Sequence, residues 1–255
     1  MSVFRIIWLA IKDLFDELFS LIAVNLLWVL ICAPLILFAI FLFGAGSTTL
    51  SAVVALLAVL PMGPSNAGLC TVAQRVTEGR VISWRMFFQG FREYLTLSWR
   101  VYGLWMIGFI VIVGNLSFYS TMASNIGGLL LVLFFYFLLV WCGLLIYLGP
   151  LMLLQTDKRI RVIARNAFLM VVGRPFFTLI TLILMVLINA LIFIIPIIPL
   201  FLTFAFLAIW SFRATTTLIA EAEARRLARQ EQAAQAANNR PNTDKGRGGQ
   251  VRPRD

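Results

Sequence analysis

The chain has 255 residues, 61% of them hydrophobic and 13% charged, with a mean hydropathy of +0.95. A soluble domain is about 45–50% apolar and about 25% charged, so a soluble globular fold is excluded at the outset. The net charge of +10 would point to nucleic acid in a soluble protein, but every Lys, Arg, Asp and Glu lies in residues 5–17, 75–100, 157–174 or 213–255. That distribution describes a membrane protein with polar segments on one side, partnered by the lipid bilayer and not by nucleic acid.

Residues 1–18 predict an amphipathic helix at the membrane surface. Phe4, Ile7, Trp8, Ile11, Leu14, Phe15 and Leu18 recur at helical spacing, with Arg5, Lys12, Asp13 and Asp16 on the other side. The apolar run that follows, Leu18 to Phe43, is about twice the length of a signal-peptide core and is read as a retained anchor. A span needs about 20 apolar residues. The uncharged blocks 18–74, 101–156 and 175–212 each hold two, giving a membrane domain over 19–213 with spans near 19–43, 49–72, 100–121, 127–153, 175–195 and 197–213.

The junctions fix an expected orientation. Those at 43–47, 120–128 and 195–199 carry no charge, whereas the alternating ones hold Arg75, Arg80, Arg85, Arg92 and Arg100, then Lys158, Arg159, Arg161, Arg165 and Arg174. The positive-inside rule then places both termini and all charged segments in the cytoplasm of a multi-pass cell-membrane protein. Two of these segments predict further amphipathic helices. Trp84, Phe87, Phe88, Phe91 and Leu95 oppose Arg85, Gln89, Arg92 and Thr96, with Ser83 as cap. Ile160, Ile163, Ala167 and Val171 oppose Lys158, Arg161 and Arg165. Such helices suit either the headgroup boundary, where anionic lipid is the expected partner, or the underside of the bundle. Residues 214–237 predict a cytoplasmic helix with a Glu221–Arg225 pair, and the basic, Gly/Pro-rich stretch 238–255 predicts disorder.

Inside the membrane domain the informative residues are neutral. Pro61, Gly63, Pro64 and Asn66 cluster in the second span, and Gly149 and Pro150 recur at a similar place in the fourth. Proline removes an amide and clashes with the preceding turn, so Pro61 and Pro64 are expected to bend or end the helix and to face protein, with Asn66 helping to satisfy the freed carbonyls. The alternatives are a proline kink and a broken helix lining a polar cavity. GFREYLTL (90–97) and GRPFFTLI (173–180) each follow a Gly-Pro span and a basic segment. The spans after them carry Asn115 and Asn189, the pattern of a parallel internal repeat. These asparagines, with Asn25, Asn66 and Ser117, serve either as interhelical hydrogen-bonding groups or as the lining of a route for a neutral solute.

Catalytic signals are missing from the sequence. It has no histidine and no Walker, GxGxxG, HExxH, CxxC or GxSxG motif, and no Asp, Glu, Lys or Arg falls in the interior of a predicted span. Cys32, Cys70 and Cys142 are far apart and read as small hydrophobes. The expectation is an all-α polytopic membrane bundle without enzyme activity, cofactor or metal. VNLLWVLICAPL (24–35), GPSNAGL (63–69) and RMFFQGFREYL (85–95) resemble the YesL-like family of bacterial integral membrane proteins. The resemblance covers residues 20–100 and departs by an apolar insert between Pro34 and Gly63. It implies an accessory role beside carbohydrate transport and no catalytic residues. Three function classes follow: a non-catalytic protein that supports or joins a transport system, a transporter or channel for a neutral or apolar solute, and a lipid enzyme.

Overall fold

The computed structural model describes residues 3–122, 124–190 and 199–238, and no strand occurs among them. Nine α-helices are described: α1 (Val3–Asp16), α2 (Leu18–Gly44), α3 (Thr48–Thr77), α4 (Trp84–Glu93), α5 (Leu95–Ser120), α6 (Asn125–Leu154), α7 (Ile160–Gly173), α8 (Pro175–Ala190) and α9 (Phe204–Asn238), the last preceded by a π-helical turn, Pro199–Thr203. Five of them, α2, α3, α5, α6 and the helix running into α9, are long and apolar enough to cross a membrane, and the number rises to six if the bent pair α7 and α8 counts as one span. The chain divides into two compact units, 1–216 and 217–255.

Local chemistry sets the boundaries. Ser124 and Ser83 cap α6 and α4, accepting from the amides of Gly127 (3.0 Å) and Arg85 (3.4 Å). Gly46, at φ +81°, makes the turn between α2 and α3, a conformation that costs glycine least. Arg174 precedes Pro175, leaves the helical region at φ −140° and ψ 62°, and turns α8 by 98° from α7. At the end of α6, the Lys158 ammonium donates to the carbonyls of Met152 (2.7 Å) and Leu153 (2.9 Å) and lies 5.3 Å from the Tyr94 ring centre. Burial pulls that ammonium below its usual pKa, with the Glu93 charge acting the other way.

The core of the first unit forms where the chain places its poorest helix formers. Gly63, Pro64, Ser65, Ala67, Gly68, Leu69 and Cys70 of α3 are buried, as are Leu144 and Ile146 to Met152 of α6. Trp210, Ile209 and Phe212 of α9 fill the space beside them. Small residues allow backbones to approach closely when lipid supplies no hydrophobic drive between helices. A Cβ on Gly90 would lie 2.1 Å from Thr71 Oγ1, and one on Gly68 would lie 2.7 Å from the Phe87 carbonyl oxygen, so α3 and α4 cross at glycine distance. On the other flank Trp105 and Trp141 clasp α5 to α6, each indole donating to the other residue's carbonyl at 2.8 and 2.9 Å.

Several expectations need correction. Neither proline ends α3, which runs unbroken through Pro61 and Pro64 to Thr77, five residues past the expected boundary at 72. The carbonyl that Pro64 strands, that of Leu60, accepts instead from the Trp99 indole of α5 at 2.6 Å. Asn66 does not serve that break. In α1 the residues packed on protein are Val3, Ile6 and Ala10, which the expected pattern did not include, while Phe4, Trp8 and Phe15 of the expected membrane-surface face are exposed. Asp13, expected on the solvent side, pairs in fork geometry with Arg213 of α9. The span expected to end at 213 and the helix expected at 214–237 are continuous, because the run of helix formers from Ala220 onward extends α9 to Asn238. The amphipathic faces of α4 and α7 agree with expectation, with Phe87 on one and Ile163, Ala167 and Val171 on the other buried. Residues 191–198, including most of the junction between the last two spans, and 239–255, nearly all of the expected disordered tail, lie outside the described residues.

Candidate functional site: an apolar cavity between the Gly-Pro helices

A cavity of about 430 Å³ lies inside the first unit, bounded by six helices. Four contribute stripes at helical spacing. From α3 come Met62, Asn66, Leu69 and Cys70, and from α6 come Cys142, Leu145, Ile146, Gly149 and Pro150. From α8 come Leu182, Met185, Val186 and Asn189, and from α9 come Phe204, Leu207, Ala208 and Ser211. Trp28 of α2 and Tyr102 of α5 complete the wall. A hollow of about 440 Å³ on the outer side of α2 is lined only by Ala23, Leu26, Leu27, Val29, Leu30 and Trp84, with no aliphatic polar group, and has the character of a lipid-facing groove.

Two of the sequence segments singled out above meet at this wall. Trp28, from NLLW, donates its indole N–H to Asn66 Oδ1, from GPSNAGL, at 2.9 Å, and its ring stacks on Phe204 at 3.8 Å. Asn25, one turn earlier on α2, is fully buried and accepts from the Ala205 amide at 3.0 Å, satisfying a first-turn donor of α9 from another helix. Asn25 and Trp28 thus hold the start of α9 against α2, and Asn66 is locked in one amide orientation. Gly149 leaves room at the centre, since a Cβ there would lie 2.6 Å from Cys70 Sγ and 3.0 Å from the Tyr102 hydroxyl. Gly63 lies against the same ring, where a Cβ would come 3.6 Å from Tyr102 Cδ2 and 3.3 Å from the Ser98 carbonyl oxygen.

Of the residues singled out from sequence, Asn66, Gly149, Pro150 and Asn189 line the cavity together. Asn25, Gly63 and Pro64 support it from behind, and Pro61 is half-buried on α3 outside the lining. Asn115 is separate: its amide donates to the Val111 carbonyl of its own helix at 2.7 Å, away from the cavity. Asn189 makes the matching bond to Met185 at 2.9 Å but does line it. Sequence reasoning missed Tyr102 and Ser211 as lining residues, and no local pattern marks either. The three cysteines are free thiols, and Cys70 and Cys142 are both in the wall. Among the described residues no group of three or more His, Cys, Asp or Glu is placed to hold a metal.

Among the described residues the lining contains no ionised side chain. Its polar atoms are amides, hydroxyls, thiols and one indole, so a charge entering the cavity would lose its hydration without gaining a counter-charge. No family model, curated protein or solved structure matches the chain. The fold and the cavity define a class: an all-α membrane protein with five or six helices able to cross a bilayer and an apolar, uncharged chamber between them.

Proposed function

We propose that this protein acts by binding and not by chemistry, taking an uncharged, mainly apolar solute into the chamber between its Gly-Pro helices. The observation that carries this reading is the lining itself: about 430 Å³ of largely apolar wall with a few fixed neutral polar groups and no charge, the general make-up of a small-molecule site. Of the function classes expected from sequence, this favours a transporter or channel for a neutral or apolar solute over a lipid enzyme. The test uses the protein in nanodiscs. Decane added to the bilayer should raise the thermal transition, since a ligand of the folded state stabilises it by mass action. Ala208→Phe, which fills the chamber, should keep the transition and lose the rise. A rise that survives Ala208→Phe would place the effect in the bilayer and end this reading.

The second reading, an accessory that assembles with a carbohydrate transport system, is favoured by one aspect of the same cavity. A sugar would bring several hydroxyls into a wall with few partners for them, at a cost for each one left unmatched. Any link to carbohydrate uptake would therefore run through a separate transport partner. Stoichiometric recovery of a permease from native membranes would support it, and recovery of the protein alone would not. In both readings the basic segments, with Arg85 5.6 Å from the Trp84 ring centre, face the cytoplasmic leaflet and its anionic headgroups.

A further inference from the structure

Two donors in the chamber have no partner among the described residues. Because the Trp28 indole fixes Asn66 Oδ1 as its acceptor, the Asn66 amide nitrogen is turned elsewhere with both its hydrogens. Among the described residues no group accepts from it. Tyr102 is 8% exposed, lines the chamber, and likewise makes no hydrogen bond among the described residues. Cys70, one turn after Asn66 on α3, and the Tyr102 hydroxyl both border the space that Gly149 leaves open. Asn66 is half-buried and Tyr102 buried; polar groups set in an apolar wall are usually paired, so two unpaired donors on a common cavity mark a place where a ligand oxygen belongs. Apart from Asn189, Ser211, Cys142 and Trp28, the remaining wall is Leu, Ile, Met, Val, Phe, Ala and Pro, which fits hydrocarbon.

Resting on the binding reading above, we infer that the chamber selects an uncharged amphiphile, a hydrocarbon body bearing one hydroxyl, ether or carbonyl oxygen, with that oxygen accepting from Tyr102 and Asn66. A pure alkane leaves both donors unmatched. A carboxylate has acceptor oxygens but enters without a cation, because the wall offers none. A sugar presents too many hydroxyls to so apolar a wall. The specificity is thus for acceptor oxygen without charge.

Cys142, in the wall and partly accessible, supplies the reporter. Its alkylation by N-ethylmaleimide is followed by mass spectrometry on the protein in nanodiscs, with decane, decanol, methyl decyl ether or ionised decanoate added at known mole fraction. Decanol should protect Cys142 at about five-fold lower mole fraction than decane, the effect of about one net hydrogen bond. Methyl decyl ether, an acceptor with no donor, should keep that advantage. Tyr102→Phe, which removes only the hydroxyl, should bring decanol to within about two-fold of decane. Equal protection by decane and decanol in the unaltered protein would overturn the inference and leave the binding reading standing. So would loss of the advantage with the ether, or decanoate protecting as well as decanol. Protection by none of the four would overturn the binding reading and this inference with it. The ether comparison needs no variant, so it decides the matter even where Tyr102→Phe fails to fold.

Discussion

The hydroxyl of Ser211 on α9 donates to the carbonyl of Ile146 on α6, the carbonyl that Pro150 leaves without an amide. The Trp99 indole of α5 does the same for Leu60, stranded by Pro64 on α3. Each Gly-Pro element therefore carries its own repair, supplied by a side chain from another helix. This is how a helix keeps proline in lipid without breaking: the freed backbone oxygen must find a donor within the protein. The repair also ties α6 to α9 and α3 to α5 at fixed heights.

Ser211→Ala should consequently cost about 1–2 kcal/mol, the penalty for an acceptor left buried and unpaired, moderated by the modest net worth of hydrogen bonds in membranes. Pro150→Ala in the same molecule restores the helical amide to Ile146 and should recover more than half of the loss. Denaturant or thermal unfolding in detergent of the two single variants and the double variant gives the cycle. Additive losses would show that the hydroxyl does not serve the stranded carbonyl.

The Asp13–Arg213 pair should hold α1 onto the bundle. Its side chains are only 12% and 23% exposed, and the guanidinium meets both carboxylate oxygens, one at 2.6 Å. Removing one partner strands a half-buried charge, so Asp13→Asn and Arg213→Met should each cost about 2 kcal/mol, more than an exposed pair and less than a fully buried one. The double variant should cost clearly less than the sum. Limited proteolysis gives a second readout, with cleavage after Arg5 or Lys12 appearing in the single variants.

Three glycines of α5 should separate by their neighbours. A Cβ on Gly108 would lie 2.1 Å from the Trp141 ring, whereas Gly103 and Gly114 have nothing within 4 Å. Gly108→Ala should therefore displace the tryptophan clasp and destabilise by about 1–3 kcal/mol. Gly103→Ala and Gly114→Ala should be neutral or stabilise by up to about 1 kcal/mol through helix propensity. Unfolding measurements on the three single variants test this directly, and a loss at Gly114 equal to that at Gly108 would contradict it.

How much of this was legible depended on whether the signal was local. The stripe Ile163, Ala167 and Val171 was readable because Arg161 and Arg165 mark the opposite side of α7 by charge. In α1 the charges mark the polar side, but the protein-facing residues Val3, Ile6 and Ala10 were not readable. Hydropathy does not separate Phe4 and Trp8, which are exposed, from Ile6 and Ala10, which face protein. The importance of the Gly-Pro elements was readable from their cost to a helix. Their repair was not, because Ser211 and Ile146 stand 65 residues apart and no periodicity links them. Asn66 and Asn189 were both named from sequence, but that they share a chamber depends on helix placement alone.

Asn115 and Asn189 provide the last contrast, because the two side chains make the same local bond in different places. Each donates its amide to the carbonyl four residues earlier, at 2.7 and 2.9 Å, so each satisfies its nitrogen within its own helix. Only Asn189 lines the chamber, with its Oδ1 as the remaining polar atom. Asn115→Leu should leave any solute-induced rise in the thermal transition unchanged. Asn189→Leu replaces a polar oxygen by hydrocarbon of similar size, so it should strengthen the response to decane by a few-fold, in keeping with the worth of a buried methyl or methylene. Both variants should fold, since each loses only a bond internal to its own helix. Equal responses in the two would mean that Asn189 does not border the bound solute, and an altered response at Asn115 would move the solute from the chamber to the outer surface of α5.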